Sequence, residues 1–241
     1  MSVTFSELGK KGRLGNILFQ AAATIALALR NNDDYVFPDN WPDKQYFNIP
    51  LNKFAKKVYY SNKYNEQHFY YSPIPYQPNL NWEGYGQSYL YFNDFKEQIR
   101  QLLTPNIEVE KQNYTSIHVR RTDYLIHKNC YNILTRKNYY DKAMELSGGE
   151  KFLIFSDQID WCKENFKGND FDFAEGNNAP MDLKLMANCL GGNIIANSSF
   201  SWWGAYLNDI CNVIAPKTWF GPELEPTHNT KDLYLPEWIK V

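Results

Sequence analysis

The chain is poor in several things, and each shortage excludes a class. It has four cysteines in 241 residues, Cys130, Cys162, Cys189 and Cys211. None forms a C-x-x-C pair, so a zinc ribbon or a thioredoxin-like redox motif is not expected. Four scattered thiols do not make a disulfide scaffold and read as reduced cysteines. There is no surplus of either charge: 25 Lys and Arg face 27 Asp and Glu, for a formal net charge of −2. That excludes the basic footprint of a nucleic-acid-binding domain. Long hydrophobic runs are missing too. The longest, ILFQAAATIALAL (17–29), is 13 residues with a Gln inside it, too short to span a bilayer and suited to a buried helix. No signal peptide, internal repeat or low-complexity segment is visible. The expectation is a cytoplasmic protein without its own anchor, at most peripheral at a membrane.

What is abundant is apolar and aromatic: 44% hydrophobic residues and 17% aromatics, including 18 Tyr and 7 Trp. A sizeable core is therefore available, and the length suits one large domain or two lobes. Aromatic faces stack on sugars and bases, but they also fill ordinary cores.

The first part of the chain opens with GRLGN (12–16), a Gly-rich turn, before a small, apolar helix. Asn16 reads as its N-cap, and Asn31-Asn32 as its stop. YVFP (35–38) and KKVYY (56–60) read as short strands, within a Pro-, Asn- and Tyr-rich stretch from 39 to 81. NWEGYGQSYLYF (81–92) leads into a helix over 94–103. Pro105 and the polar residues after it mark a boundary, placing an N-terminal α/β lobe at 1–105 and a C-terminal lobe at 106–241.

The second part alternates strand and helix. YTSIHVR (114–120), KFLIFSD (151–157), DFDFA (170–174), the GGNIIANSS segment (191–199) and NVIAP (212–216) read as strands. Helices are expected over 136–146, 158–166, 179–189 and from 200. This alternation predicts a doubly wound parallel sheet, with its site at the C-terminal ends of the strands.

HVRRTD (118–123) stands at such an end. On a strand, His118 and Arg120 share one face, and Val119 and Arg121 the other. Two Arg and a His make a poor core but a good pyrophosphate receptor, because guanidinium donors fork onto phosphate oxygens and stay charged at any working pH. Asp123 is close enough to orient one of them. The plain alternative is an ion-paired sheet edge. NSSFSWWGAYL (197–207) puts Ser198 and Ser199 at a strand-to-helix turn, a place where anions bind and where an ordinary Ser N-cap also sits. DFD (170–172) has the Asp-x-Asp form that holds divalent metals, but its FDF setting reads better as a strand with polar alternation.

Taken together these pieces resemble glycosyltransferase family 11, the α-1,2-fucosyltransferases. The resemblance rests on GRLGN with Phe19 and Gln20, GYGQSYLYF (84–92), HVRRTDYL (118–125), FLIFSDQIDWCKENF (152–166), MDLKLMANC (181–189), NIIANSSFSWWGAYL (193–207) and DLYLPEWIK (232–240). They run in order along almost the whole chain. The resemblance implies a GT-B-like α/β fold of two Rossmann-like lobes, the C-terminal one binding GDP-fucose. It implies that Arg120 and Arg121 hold the pyrophosphate, with Asp123 beside them as the third residue of the catalytic set. His118 would lie near the nucleotide, and Asp182 would read the guanine edge. Ser156, Ser198, Ser199 and Phe200 would line the donor, and Asn16 and Gln20 would close over it. The implied reaction inverts configuration at the fucose and needs neither metal nor cofactor, its partners being GDP-fucose and a glycan acceptor, with terminal galactose fucosylated at its 2-hydroxyl as the default. Asp123 and Glu83 are candidates for a general base. Two departures bear on the acceptor: Ile17-Leu18 replaces a common Gln-Met pair, and Gly86 replaces an aromatic before Gln87. The alternatives are a metal-dependent transferase using a UDP sugar through Asp170 and Asp172, and a glycan-binding module without catalysis.

Overall fold

A computed structural model describes all 241 residues. The chain divides into two compact units. The first comprises Met1–Asn106 and Asn229–Tyr234, the second Ile107–His228 and Leu235–Val241. No helix is long and apolar enough to cross a membrane.

The first unit is built on a five-stranded sheet. Its strands are β1 (Ser2–Thr4), β2 (Asp34–Pro38), β3 (Phe54–Ala55), β4 (Asn62–Asn65) and β5 (Leu80–Glu83). They lie in the order β3-β2-β1-β5-β4, with every pair parallel. Helix α1 (Leu14–Arg30) follows β1 and is buried from Leu14 to Ala28 except at Asn16, as its Ala-rich sequence predicts. Helix α2 (Lys96–Leu103) closes the unit by burying Ile99 and Leu103. Two local expectations fail. Helix α1 begins two residues before Asn16, so the N-cap position belongs to Arg13, and Asn16 lies inside the first turn. KKVYY is not a strand. Tyr59 is 73% exposed, and Lys57 lies 5.1 Å over its ring. With no face to bury, Val58 and its Tyr neighbours gain nothing from a sheet. The strand is instead the polar Asn62–Asn65, held by four residues of register with β5.

The second unit is built on six strands: β6 (Thr115–Val119), β7 (Phe152–Ser156), β8 (Phe171–Phe173), β9 (Asn193–Ile194), β10 (Val213–Ala215) and β11 (Ile239–Lys240). Their order is β11-β10-β9-β6-β7-β8, all parallel. Strand β6 is first in sequence and central in space. The chain builds outward to β8 on one side, then crosses back to build β9, β10 and β11 on the other. This is the doubly wound, Rossmann-like order, and its switch point lies between β6 and β9. Parallel strands covered on both faces read as continuous apolar runs, and β6 and β10 are buried throughout.

The helices of this unit are α3 (Thr122–Ile126), α4 (Asp141–Ser147), α5 (Ile159–Asn165), α6 (Ala179–Ala187) and α7 (Ser199–Leu207). A π-helical turn, Arg136–Tyr140, runs directly into α4. Strand alternation splits the core into two layers. Ile117, Val119, Phe152 and Ile154 pack with Tyr139, Tyr140, Ala143 and Cys162 on one face. Leu153 and Phe155 pack with Met186 on the other, with Phe200 against them.

Candidate functional site

The C-terminal ends of β6 and β7 carry a connected set of charged groups. Asp157 follows β7 directly and reaches across to the residues that follow β6. Its carboxylate accepts the backbone N–H of Arg121 at 2.9 Å and of Thr122 at 3.3 Å, and the Thr122 hydroxyl at 2.5 Å. The same carboxylate pairs with the Arg120 guanidinium at 2.9 Å. Asp123 takes the other prong of Arg120 at 2.5 Å. Arg120 also lies 5.6 Å over the ring of Tyr124. Its side chain is only 13% exposed, Asp157 is 18% exposed, and Asp123 is 39% exposed. Arg120 is thus a cation with one sheltered and one solvent-facing counter-ion.

The two arginines are placed differently. Arg121 points toward α5, where its guanidinium stacks 3.7 Å from the centre of the Trp161 ring and its Nε donates to Gln158 at 3.1 Å. Trp161 packs against the same core layer as Val119, so Arg121 and Val119 share a face. His118 faces the other layer, 5.6 Å from Phe200. It is 6% exposed, with Nδ1 3.0 Å from the Ser201 hydroxyl. Burial pushes its pKa down to about 4, so it is neutral near pH 7.

Residues 195–201 come from across the switch point. Ser198 caps α7 by accepting the Phe200 N–H, and Ser199 is the first residue of that helix. The Tyr124 hydroxyl donates to the Asn197 carbonyl at 2.7 Å. With the His118–Ser201 contact, this ties the residues after β6 to those after β9. Two more tyrosines brace the strand ends from beneath: Tyr140 donates to the His118 carbonyl and Tyr139 to the Ile195 carbonyl. Both rings come from the π-helical turn and are buried.

Ser156 ends β7 and accepts the Gln158 N–H at 2.9 Å. Asp182 is in the first turn of α6, where Asn177 donates to it at 3.0 Å. Burial raises its pKa to about 6. Asp170 and Asp172 lie at the start of β8, and Tyr114, just before β6, donates to Asp172. In register, Asp170 is level with Tyr114 and Asp172 with Ser116, so Arg120 stands six and four residues further along, roughly 20 and 13 Å at 3.3 Å per strand residue. The Asp-x-Asp pair thus lies toward the other end of the strands from the arginines.

In the first unit, the C-terminal ends of β4 and β5 carry a different arrangement. Glu66 follows β4 directly and accepts the backbone N–H of Tyr85 at 2.7 Å and of Gly86 at 3.2 Å. Burial raises its pKa, against the pull of those donors. Gly84 is required here, since a Cβ on it would stand 2.4 Å from the Glu66 Cβ. Gln87 donates to Asn16 at 2.7 Å. Gln20 is fully buried. Its amide nitrogen donates to the Lys11 carbonyl at 3.1 Å, and its Oε1 has no partner. Glu83 is held by Lys63 at 2.9 Å.

The sequence reading named His118, Arg120, Arg121, Asp123, Ser198, Ser199 and Phe200, and these gather at the switch point of the second unit. Asp182 and Ser156 belong to the same unit, Asn16 and Gln20 to the first. Asp157, Gln158, Trp161, Tyr124 and Ser201 were not singled out, although FLIFSDQIDW already contained three of them.

The family model for Glycosyl transferase family 11 matches residues 10–241. An alpha-1,2-colitosyltransferase from Escherichia coli is 33% identical over 79% of this chain and 73% of its own length. The O-antigen biosynthesis glycosyltransferase WbnK, also from Escherichia coli, is 32% identical over 55% of this chain and 46% of its own. A galactoside 2-alpha-L-fucosyltransferase, Sec1 of Mus musculus, is 23% identical over 96% of the chain and 72% of its own. No solved structure matches the chain. With a match over nearly its whole length and these relatives, the chain belongs to glycosyl transferase family 11.

Proposed function

We propose that the protein is an inverting, metal-independent transferase of GT-B type that moves L-fucose from GDP-β-L-fucose to the 2-hydroxyl of a terminal galactose on a glycan. The observation that carries this reading is the placement of Arg120: a guanidinium after the central strand, at the switch point, beside the start of α7. Diphosphates bind in that crevice in doubly wound sheets. In the proposed step, the acceptor oxygen forms a bond to C1 of fucose as the C1–O bond to GDP breaks. The bonding pair leaves with the β-phosphate oxygen, and the acceptor proton passes to a base or to solvent. Negative charge grows on the leaving diphosphate. Arg120 and the α7 start supply fixed, positive dipoles and charge for it, and one such donor is worth roughly 3–4 kcal/mol of barrier. Asp182 is the proposed partner of the guanine N1–H and N2–H₂ pair, and the buried, neutral His118 packs beside Phe200 near the base. Asp123 is the solvent-facing counter-ion that Arg120 exchanges for the donor diphosphate. Metal independence is supported by the distance of Asp170 and Asp172 from this point.

Calorimetry with GDP and UDP, each with and without EDTA, tests the reading, followed by transfer assays on a galactoside. GDP binding that ignores EDTA is expected. Equal preference for UDP, or loss of binding in EDTA, would sink it. A second reading is favoured by the Escherichia coli relative: transfer of a colitosyl group on the same GDP scaffold. A competition assay between fucosyl and colitosyl donors separates the two.

A further inference from the structure

We infer that Asp157 is a positioning residue that holds the 120–122 turn in the shape needed to present Arg120 to a donor diphosphate. This rests on the nucleotide-sugar reading above. Asp157 meets three consecutive residues, accepting hydrogen bonds from two backbone N–H groups and one hydroxyl and forming an ion pair with one guanidinium. No other side chain at the strand ends of this unit touches so many parts of the motif.

The arrangement has a clear physical logic. Helix α3 is only five residues long, and its own N-cap, Arg121, offers no capping side chain. The first N–H groups of a helix need acceptors from outside it. Asp157 takes the N–H of the N-cap residue Arg121 and of the first helical residue Thr122 from the neighbouring strand, 36 and 35 positions away in sequence, and so fixes where the helix begins. Its remaining lone pairs hold Arg120. A carboxylate that binds both the backbone and the guanidinium fixes where that guanidinium points, and charge-assisted bonds of this kind are the stronger ones. The other counter-ion, Asp123, is more exposed. Phosphate oxygens can therefore take the place of Asp123 on Arg120 while Asp157 keeps its hold. Asp157 acts through Arg120 and does not touch the donor.

The test uses the whole chain and the variants D157N and T122V. D157N keeps the size of the side chain but has one acceptor oxygen in place of two and no charge. T122V removes only the hydroxyl bond. Amide hydrogen exchange across residues 120–126, without ligand, reads the turn directly. It is expected to speed up at least tenfold in D157N and about threefold in T122V. The GDP dissociation constant is expected to rise at least tenfold in D157N, and the donor KM with it, while the acceptor KM stays put. A merely destabilised protein would lower kcat through lost active fraction and leave both KM values alone, which would overturn the inference. Unchanged exchange and unchanged GDP affinity in D157N would also overturn it. If the wild type binds no GDP while D157N still loosens the turn, the nucleotide-sugar reading fails and the assignment of Asp157 to the turn stands.

Discussion

The two sheets end in the same device, built with opposite electrostatics. In each unit a carboxylate directly follows one strand and accepts two successive backbone N–H groups of the loop after the neighbouring strand. Asp157 does this for Arg121 and Thr122, and Glu66 for Tyr85 and Gly86. Asp157 has a guanidinium at 2.9 Å. Glu66 has no ion pair, and burial raises its pKa. A carboxylate held only by dipoles in a sheltered place favours the proton. The first arrangement fixes a cation at a strand end. The second shapes a loop without one.

Four experiments sharpen or break this contrast. The largest effect is expected from Arg120→Ala, which removes the presented charge and strands two carboxylates. GDP affinity measured by calorimetry should fall at least a hundredfold, of the order of the 3 kcal/mol typical of a lost charged partner. Retained affinity would mean that the cation serves the fold alone.

Gly84→Ala comes next. The added methyl would overlap Glu66, and forcing it in costs about 1–3 kcal/mol. Thermal unfolding should show a clear drop in Tm. A wild-type Tm would show that the Glu66 clamp is loose.

The third concerns pH. Asp182 has its pKa raised to about 6 by burial. Its contribution to folding is fully present below its unfolded pKa and is lost as pH rises through about 6. Guanine binding runs the other way, since two adjacent donors call for the ionised form. GDP affinity should therefore fall about tenfold per pH unit below 6. D182N should flatten that profile, and a profile unchanged in D182N would remove Asp182 from the base site.

The smallest effect is expected from Glu66→Gln. The raised pKa means that the wild type gains stability from Glu66 below its unfolded pKa and loses it as pH rises through the folded value. The variant lacks this dependence. Denaturant titrations at pH 7 should put it within about 1 kcal/mol of wild type, with the comparison shifting toward wild type as pH falls. A loss of several kcal/mol at pH 7 would make the Glu66 charge as necessary as that of Asp157.

The same contrast explains what could be read from the sequence. Strands β6 and β7 announce themselves because TSIHV and FLIFS are apolar and rich in β-branched or aromatic residues, and the central strands of a parallel sheet must be so. The alternation of His118 with Val119 and of Arg120 with Arg121 then follows from the pleat. Helix α3 could not be read, because the N–H groups of Arg121 and Thr122 at its start depend on Asp157, 36 and 35 places away, which no local pattern carries. In the first unit, KKVYY has the propensity of a strand and NKYN does not, yet NKYN is the strand, because four residues of register with β5 outweigh intrinsic preference. Asn16 has the chemistry of an N-cap but is engaged by Gln87 instead. Cations in a motif are legible in sequence. The groups that aim them are not.

The path of the chain has a further consequence. After His228 it leaves the second unit and gives Asn229–Tyr234 to the first, where the Asp232 carboxylate accepts the Tyr71 N–H and Lys231 lies over Tyr70. It then returns to lay down β11 as the edge strand beside β10. The polypeptide therefore passes between units three times, and no single cut separates them. A fragment starting at Ile107 would carry six residues with no home, including the buried Leu233 and Tyr234. A fragment ending at Asn106 would lack Lys231 and Asp232, the tail residues that meet Tyr70 and Tyr71. Dissection into two independently expressed halves should yield insoluble pieces, whereas a rearranged chain that splices 229–234 after residue 106 and joins residue 228 to 235 would restore the modularity that the natural thread denies.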